Sequence, residues 1–373
     1  MKYYVIAGER SGDLHASNLI RAIRRHDPAA EVRAWGGEMS QEAGATLVKH
    51  YRDLAFMGFW EVFKNLRTIL GFLSFCKKDL IQYRPDVVIL VDYAGFNMRV
   101  AKFAKAQGLA VFYYISPKVW AWNQSRAYKI KALVDRMFVI FPFEKSFFAR
   151  YDYSVDFVGN PLFDAIAAYQ PKPDFRPAHQ LGDKPIIALL PGSRKQEVER
   201  MLALMTSVIP QFPGFQFVIA GVSNLPKEMY TRWQQEFGTP IVYDATYDLL
   251  SHAYAALVTS GTATLETALF GVPQVVCYQT GTITYAIAKS LIKVDYISLV
   301  NLVAEKEVVK ELIQSELSTP NLVAELKKIT EEGEPRQQQL TQYARIRAAL
   351  GEQGASEKAG RLMVDYLRDG RKG

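Results

Sequence analysis

Two small-residue stretches in the second half of the chain have the composition of anion-holding turns. Pro191-Gly192-Ser193-Arg194 follows an apolar run at 186–190 and precedes a helical pattern carrying Glu197 and Glu199. Gly192 lets backbone approach a ligand, a helix start favours negative charge, and Arg194 can fork onto phosphate oxygens. Thr259-Ser260-Gly261-Thr262-Ala263-Thr264-Leu265-Glu266 follows the run at 255–258 in the same way. Ser260, Gly261 and Thr262 offer donors at a helix start, and Glu266, one turn in, can accept both hydroxyls of a ribose. Together the two turns point to a nucleotide-diphosphate pocket. A Walker loop would need Gly-Lys-Ser/Thr, which is absent here.

The first half places carboxylates after its apolar runs. Gly8-Glu9-Arg10-Ser11-Gly12-Asp13 follows the first run, with Ser11 or Asp13 able to cap the next helix. Its glycines are not spaced Gly-x-Gly-x-x-Gly, which disfavours a dehydrogenase-type dinucleotide fold. Asp92 follows 87–91, and Asn97 opens the next helix as a cap. Ser116-Pro117-Lys118-Val119-Trp120-Ala121-Trp122 puts two tryptophans in one loop, where aromatic faces suit sugar rings or acyl chains. Capping, turning and ordinary packing explain the same residues, so both readings stay open at this point. Metal chemistry finds little support, because the five histidines form no ligand-spaced pair and no Asp-x-Asp stands out. A Gly-x-Ser-x-Gly elbow of a serine hydrolase is also missing.

Residues 56–80 are apolar on more than one side. Phe59, Phe63, Leu66, Leu70 and Leu73 make one helical stripe, while Val62, Ile69, Phe72, Phe75 and Cys76 spread beyond it. Lys64, Arg67, Lys77 and Lys78 flank the segment. Such a helix is either deep in a core or set against lipid, and the basic flank favours an anionic lipid surface.

The elements that must position these residues alternate strand and helix. Runs at 2–7, 86–91, 109–115, 136–140 and 154–158 read as buried parallel strands, with helices at 14–26 and 97–107 between them. A proline-rich stretch at 161–185 reads as a linker. The pattern restarts with strands at 186–190, 215–220, 241–243, 255–258 and 272–278, and the chain from 321 onward reads as helices. The expected architecture is two doubly wound parallel sheets facing a cleft.

The chain has 373 residues, 49% of them hydrophobic and 22% charged, a balance that excludes a disordered or fibrous chain. No apolar run reaches the ~18–20 residues of a spanning helix, and the N-terminus lacks the apolar core of a signal peptide. Cys76 and Cys277 are too few for a disulfide framework and read as small buried hydrophobes of a reducing compartment. The net charge of +7 suits anionic partners. Nucleic acid is not expected among them, because no RNA-binding aromatic motif, zinc-finger spacing or basic arm is present.

Taken in order, several motifs resemble the lipid-A-disaccharide synthase family of GT-B glycosyltransferases. They are Gly8–Asp13, Met57-Gly58 with Glu61-Val62, Ser116–Trp122 and Pro142-Phe143-Glu144. Pro191–Arg194, Ser260–Glu266 and Ser298-Leu299-Val300-Asn301-Leu302 complete the set, which runs from residue 8 to about 314. Four positions depart from the family pattern. Arg10 replaces a small residue, Asn160 stands where many members have His, and Val300 replaces a Pro. Gly95 occupies a position where some members carry an Asp considered for catalysis.

The resemblance implies an α/β fold of two Rossmann-like domains. Residues 1–165 would form the acceptor-binding, membrane-facing domain, completed by a C-terminal helix at 350–373, and 180–345 the UDP-sugar-binding domain. It implies an inverting, metal-independent transfer with no cofactor. The donor would be UDP-2,3-diacylglucosamine and the acceptor 2,3-diacylglucosamine 1-phosphate (lipid X). The product would be a β-1,6-linked disaccharide 1-phosphate, with UDP released. Asp92, Asp13 and Glu9 are the candidates for the catalytic base. Gly192, Ser193, Arg194, Ser260, Gly261, Thr262, Glu266 and Asn301 would hold UDP. Ser11, Asn97, Trp120, Trp122, Phe72 and Phe75 would meet the acceptor or lipid. The protein would sit in the cytoplasm of a Gram-negative bacterium, peripherally on the inner face of its membrane, and the oligomeric state stays open, a homo-oligomer included. A UDP-sugar epimerase or hydrolase on the same scaffold would share the nucleotide pocket without needing a lipid surface. A non-catalytic lipid- or nucleotide-binding protein is the third reading.

Overall fold

The computed structural model describes residues 1–54, 66–281, 285 and 294–370. It divides into two compact units, Met1–Asp164 with Leu350–Gly373, and Ala165–Ala349.

The first unit holds a parallel sheet of β1 (Lys2–Ala7), β2 (Glu31–Gly36), β3 (Thr46–His50), β4 (Val87–Val91), β5 (Ala110–Tyr114), β6 (Arg136–Val139) and β7 (Asp156–Phe157). Their order across the sheet is β3-β2-β1-β4-β5-β6-β7. All five residues of Val-Val-Ile-Leu-Val in β4 are buried, as expected for a parallel strand covered on both faces. Strands β2 and β3 were not anticipated from sequence. Glu31-Val32-Arg33-Ala34-Trp35-Gly36 breaks the apolar run with charge, and Arg33 is tolerated there because Asp79 accepts from its Nη1 at 2.6 Å. β3 is an edge strand, and its half-buried Lys49 and His50 obscure the pattern.

Helix Ala355–Gly370 closes this unit against helix Arg10–His26. A Cβ on Gly360 would come within 2.6 Å of Ala22 Cβ, so the crossing needs glycine. Ala359, Met363, Val364 and Leu367 join the same apolar core as β1 and β4. Asp164 holds the start of the helix by accepting from Gly354 N at 2.6 Å and Ser356 N at 3.3 Å.

The second unit holds β8 (Ile186–Leu190), β9 (Gln216–Gly221), β10 (Ile241–Tyr243), β11 (Ala253–Thr259), β12 (Gln274–Tyr278) and β13 (Glu311–Ile313). They are parallel, in the order β10-β9-β8-β11-β12-β13. β13 was also missed, being three residues long and led by Glu311.

The stretch at 161–185 is folded rather than a spacer. Pro161 opens helix Pro161–Ala168, a position where its missing N–H costs nothing, and Phe175–Ala178 makes a further helical turn. Phe163, Phe175 and Leu181 are buried, and Phe175 and Leu181 belong to the core of the second unit. Apolar anchors between the prolines override the linker composition.

Candidate functional site

In an open parallel sheet, ligands bind where strand order reverses, outside the carboxyl ends of the strands. In the second unit that point lies between β8 and β11. The turns leaving these two strands are Pro191–Arg194 and Ser260–Thr262, the stretches singled out by composition.

Gly192 has φ +100°, and a Cβ there would meet Glu197 Oε2 at 2.1 Å. The positive φ requires glycine, whereas the Glu197 carboxylate, at the end of a flexible side chain, could swing aside. The Glu197 carboxylate is turned back onto the turn and accepts from Ser193 N at 3.3 Å. Arg194 is the N-cap residue of helix Lys195–Thr206, in extended backbone conformation. Its side chain is exposed and makes no ion pair among the described residues. Gly261 and Thr262 are exposed at the start of helix Thr262–Leu269. Ser260 is half-buried and donates to Ile297 O at 2.9 Å, leaving its oxygen to accept. Glu266 accepts from the Tyr247 hydroxyl at 2.9 Å, and burial pushes its carboxyl above the usual carboxylate range.

Asn301 corrects the expectation. It is fully buried, donates through Nδ2 to Val309 O and Glu311 Oε1, both at 2.9 Å, and accepts at Oδ1 from Val308 N and Val309 N. Its amide is spent on joining helix Leu299–Ala304 to β13, so it has nothing left for UDP. Ser298 donates to the same Glu311 carboxylate through its N–H and its hydroxyl, which gives that motif a structural purpose.

In the first unit the strand order reverses between β1 and β4. The turns leaving these strands touch, for a Cβ on Gly8 would lie 2.3 Å from Tyr93 Cγ. Asp92 and Tyr93 both have φ +46°, two consecutive left-handed residues with side chains. Ile115, at the end of β5, has φ +65°, which for a β-branched residue is a strained conformation. Asp92 is exposed, yet the surrounding protein is dense enough to raise its carboxyl above the ordinary range, with the Lys118 charge opposing that shift. Glu9 is half-buried at the N-cap position of helix Arg10–His26, and its charge adds to the burial that raises the Tyr93 phenol. Ser11 is exposed in the first turn of that helix.

Three first-unit candidates turn out to be committed elsewhere. Asp13 is fully buried and caps helix Glu38–Glu42, accepting from Gly37 N at 2.7 Å, from Met39 N and Ser40 N at 3.2 Å each, and from the Ser40 hydroxyl. A carboxylate so fully engaged is an anchor rather than a base. Asn97 is also fully buried, and its Nδ2 donates to Val91 O at 3.2 Å and Asp92 O at 2.8 Å. It holds the Asp92–Tyr93 turn instead of meeting an acceptor. Trp120 is only 4% exposed, edge-on to Phe143 at 5.0 Å, and so is a core residue of its loop. The Trp122 side chain lies outside what the structure describes, as do residues 55–65 with Met57, Gly58, Phe59, Glu61, Val62, Phe63 and Lys64.

Glu144 ends the Pro142-Phe143-Glu144 motif. It is buried, accepts from Ile140 N at 3.1 Å and Phe141 N at 2.9 Å, and takes a further hydrogen bond from the Ser116 hydroxyl. Burial pushes its carboxyl up to about 7 against the pull of these donors. The Trp120 indole N–H lies by the same carboxyl but outside hydrogen-bonding geometry. Glu144 thus ties the loop after β5 to the start of helix Pro142–Ala149. A Pro-x-Glu helix start was the only hint of this in sequence.

Helix Leu66–Tyr83 buries Leu73, Cys76 and Leu80. Leu70 (52%), Phe75 (47%) and Ile81 (54%) remain exposed on it, beside Lys78. Phe72 is half-buried, edge-on to Trp35 at 6.5 Å. No helix among the described residues is long and apolar enough to cross a membrane.

Solved structures share the fold. The UDP-GlcNAc 2-epimerase of Neisseria meningitidis bound to UDP-GlcNAc superposes with TM-score 0.68 at 15% identity, over 99% of this chain and 100% of that one. The glycosyltransferase of kitacinnamycin gives 0.62 at 14%, over 98% of each chain. These likenesses establish the two-domain GT-B architecture alone. Sequence goes further. The lipid-A-disaccharide synthase of Syntrophus aciditrophicus is 38% identical over 98% of this chain and 97% of its own length, and that of Myxococcus xanthus 37% over 98% of each. The family model described as lipid-A-disaccharide synthetase matches residues 3–364. With a match of that extent, the chain belongs to the lipid-A-disaccharide synthase family, glycosyltransferases of lipid A biosynthesis.

Proposed function

We propose that the protein transfers diacylglucosamine from UDP-2,3-diacylglucosamine to 2,3-diacylglucosamine 1-phosphate, releasing UDP and forming a β-1,6-linked disaccharide 1-phosphate. The donor sugar is α-linked and the product β-linked, so the acceptor hydroxyl displaces UDP directly with inversion. Such a displacement needs a carboxylate to take the hydroxyl proton and cationic or dipolar groups to stabilise the leaving diphosphate. Asp92 is the base on this reading. It is exposed, sits on a strained turn at the strand-order reversal, and has a carboxyl that the surrounding protein raises from its ordinary value. Glu9 is the second candidate, since Asp13 is sequestered.

The observation that carries the reading is the pairing of turns at the β8–β11 reversal. Arg194 and the donors of Gly261 and Thr262 lie on the turns that leave these two strands, and Glu266, one turn into the second helix, would take the ribose hydroxyls. As UDP departs with added negative charge, the Arg194 guanidinium and the helix start gain most. These chain groups supply the stabilisation that a metal ion provides in other transferases.

Both substrates carry acyl chains, which gives the exposed apolar groups of helix Leu66–Tyr83 a purpose. Leu70, Phe75 and Ile81 would enter the boundary of an anionic bilayer, with Lys78 at its headgroups and the protein on the cytoplasmic face of the inner membrane. An epimerase reading draws on fold likeness alone and leaves these side chains unexplained. The test measures UDP release and product mass with acylated donor, with and without acylated acceptor. UDP formed only when both are present, with a disaccharide 1-phosphate, supports the proposal. UDP without acceptor points to a hydrolase, and an epimerised donor to an epimerase.

A further inference from the structure

Tyr247 lies outside every motif noted in the sequence, on helix Thr246–His252 that follows β10. Its hydroxyl donates to Glu266 Oε1 at 2.9 Å. The ring is pinned from two sides, edge-on to Tyr169 at 5.7 Å and against Phe270 at 5.1 Å. Tyr169 is itself anchored by donating to Asp248 Oδ1, and it meets Phe270 at 5.9 Å. Two neighbouring rings, in contact with each other, therefore hold one phenol at one position, and that phenol holds one carboxylate oxygen.

We infer that Tyr247 is a positioning residue for ribose recognition, aiming the Glu266 carboxylate so that its free lone pairs meet the two ribose hydroxyls of the nucleotide. The inference rests on the reading of Glu266 given above. A carboxylate on a flexible two-carbon stem loses rotamer freedom when it engages two vicinal hydroxyls, and a fixed hydrogen bond in advance removes much of that loss. The bond also keeps the carboxyl an acceptor. Burial favours its protonated form, which would donate instead, and the Tyr247 hydroxyl opposes that effect. The aromatic triangle makes Tyr247→Phe a clean probe, because the ring contacts remain while the hydroxyl is lost.

Calorimetric titration of UDP and of 2′,3′-dideoxy-UDP into wild type, Tyr247→Phe and Glu266→Gln tests this. Loss of one preorganising hydrogen bond should weaken UDP about fivefold in Tyr247→Phe. Affinity for the dideoxy analogue should stay within about twofold of wild type, since no hydroxyls remain to be read. Glu266→Gln should show the same selectivity with a larger loss. Equal weakening of both ligands by Tyr247→Phe, or weakening of neither, while Glu266→Gln still discriminates, overturns this inference and leaves the ribose reading intact. A Glu266→Gln variant that fails to discriminate overturns the ribose reading and this inference with it.

Discussion

The Nδ2 of Asn97 donates to the backbone oxygen of Asp92 at 2.8 Å, while the Tyr113 hydroxyl donates to the same oxygen. The proposed base thus stands on a left-handed turn that buried side chains hold from below. Strain of this kind persists only where the surroundings over-determine it. Asn97→Ala leaves the Val91 and Asp92 carbonyls short of a donor, and should lower stability by about 1–3 kcal/mol. The turn would relax with it, so kcat should fall more than KM rises. Steady-state kinetics beside urea denaturation checks both, and a stability loss with unchanged kcat would separate the turn from catalysis.

Glu144 makes stability depend on pH. Its carboxyl is raised to about 7 in the folded protein from 4.5. The folded state therefore binds more protons than the unfolded state between those values. Its contribution is fully present below about 4.5 and is lost as pH rises through about 7, at up to ~1.4 kcal/mol per pH unit. Glu144→Gln mimics the protonated form and removes this dependence. Denaturation at pH 5, 6, 7 and 8 should show the gap between variant and wild type moving steadily in the variant's favour. Parallel curves would contradict the assignment.

Arg194 makes no ion pair with Glu197 or Glu199, since Glu197 is turned onto Ser193 N. On the proposed reading, the guanidinium at this helix start is there to meet the diphosphate. Arg194→Ala should cost about 10²-fold or more in kcat/KM, comparable to losing one oxyanion-type donor, while Tm stays within a degree or two. Arg194→Lys should recover only part of the activity, because a point charge cannot replace the planar fork. UDP affinity and turnover within about twofold of wild type in the Ala variant would remove Arg194 from the pocket.

Leu70 and Ile81 can be changed to Ser together with little effect on the core, being about half exposed. Binding to vesicles containing anionic lipid should fall at least tenfold, from the loss of ~25 cal/mol per Å² of apolar area that would enter the bilayer. Phe72→Ser and Phe75→Ser should behave differently, each lowering Tm through its lost contact with Trp35. Unchanged vesicle affinity in the double variant would remove the membrane role from this helix.

What was legible in the sequence follows burial. β4 and β8 stood out because parallel strands covered on both faces read as unbroken apolar runs. β2 hid behind a charge that a partner neutralises, and β3 and β13 behind their edge positions. The turns after β8 and β11 were legible because a glycine between strand and helix has few other uses. Asp13, Asn97 and Asn301 misled because a polar residue that satisfies buried backbone is the same residue type as one that meets a ligand. Only their hydrogen-bond partners tell the two apart. Tyr247 had no signal at all, since its partner Glu266 lies on a different helix, 19 residues away.

Turnover of Asp92→Asn, at saturating donor and acceptor and with UDP affinity measured on the same protein, tests the central claim most directly. Asparagine keeps the shape and removes the proton acceptor. The account predicts a fall in kcat of ~10²-fold or more with UDP affinity unchanged. Near-normal turnover in Asp92→Asn, with the loss appearing instead in Glu9→Gln, would contradict it and move the base to the neighbouring turn.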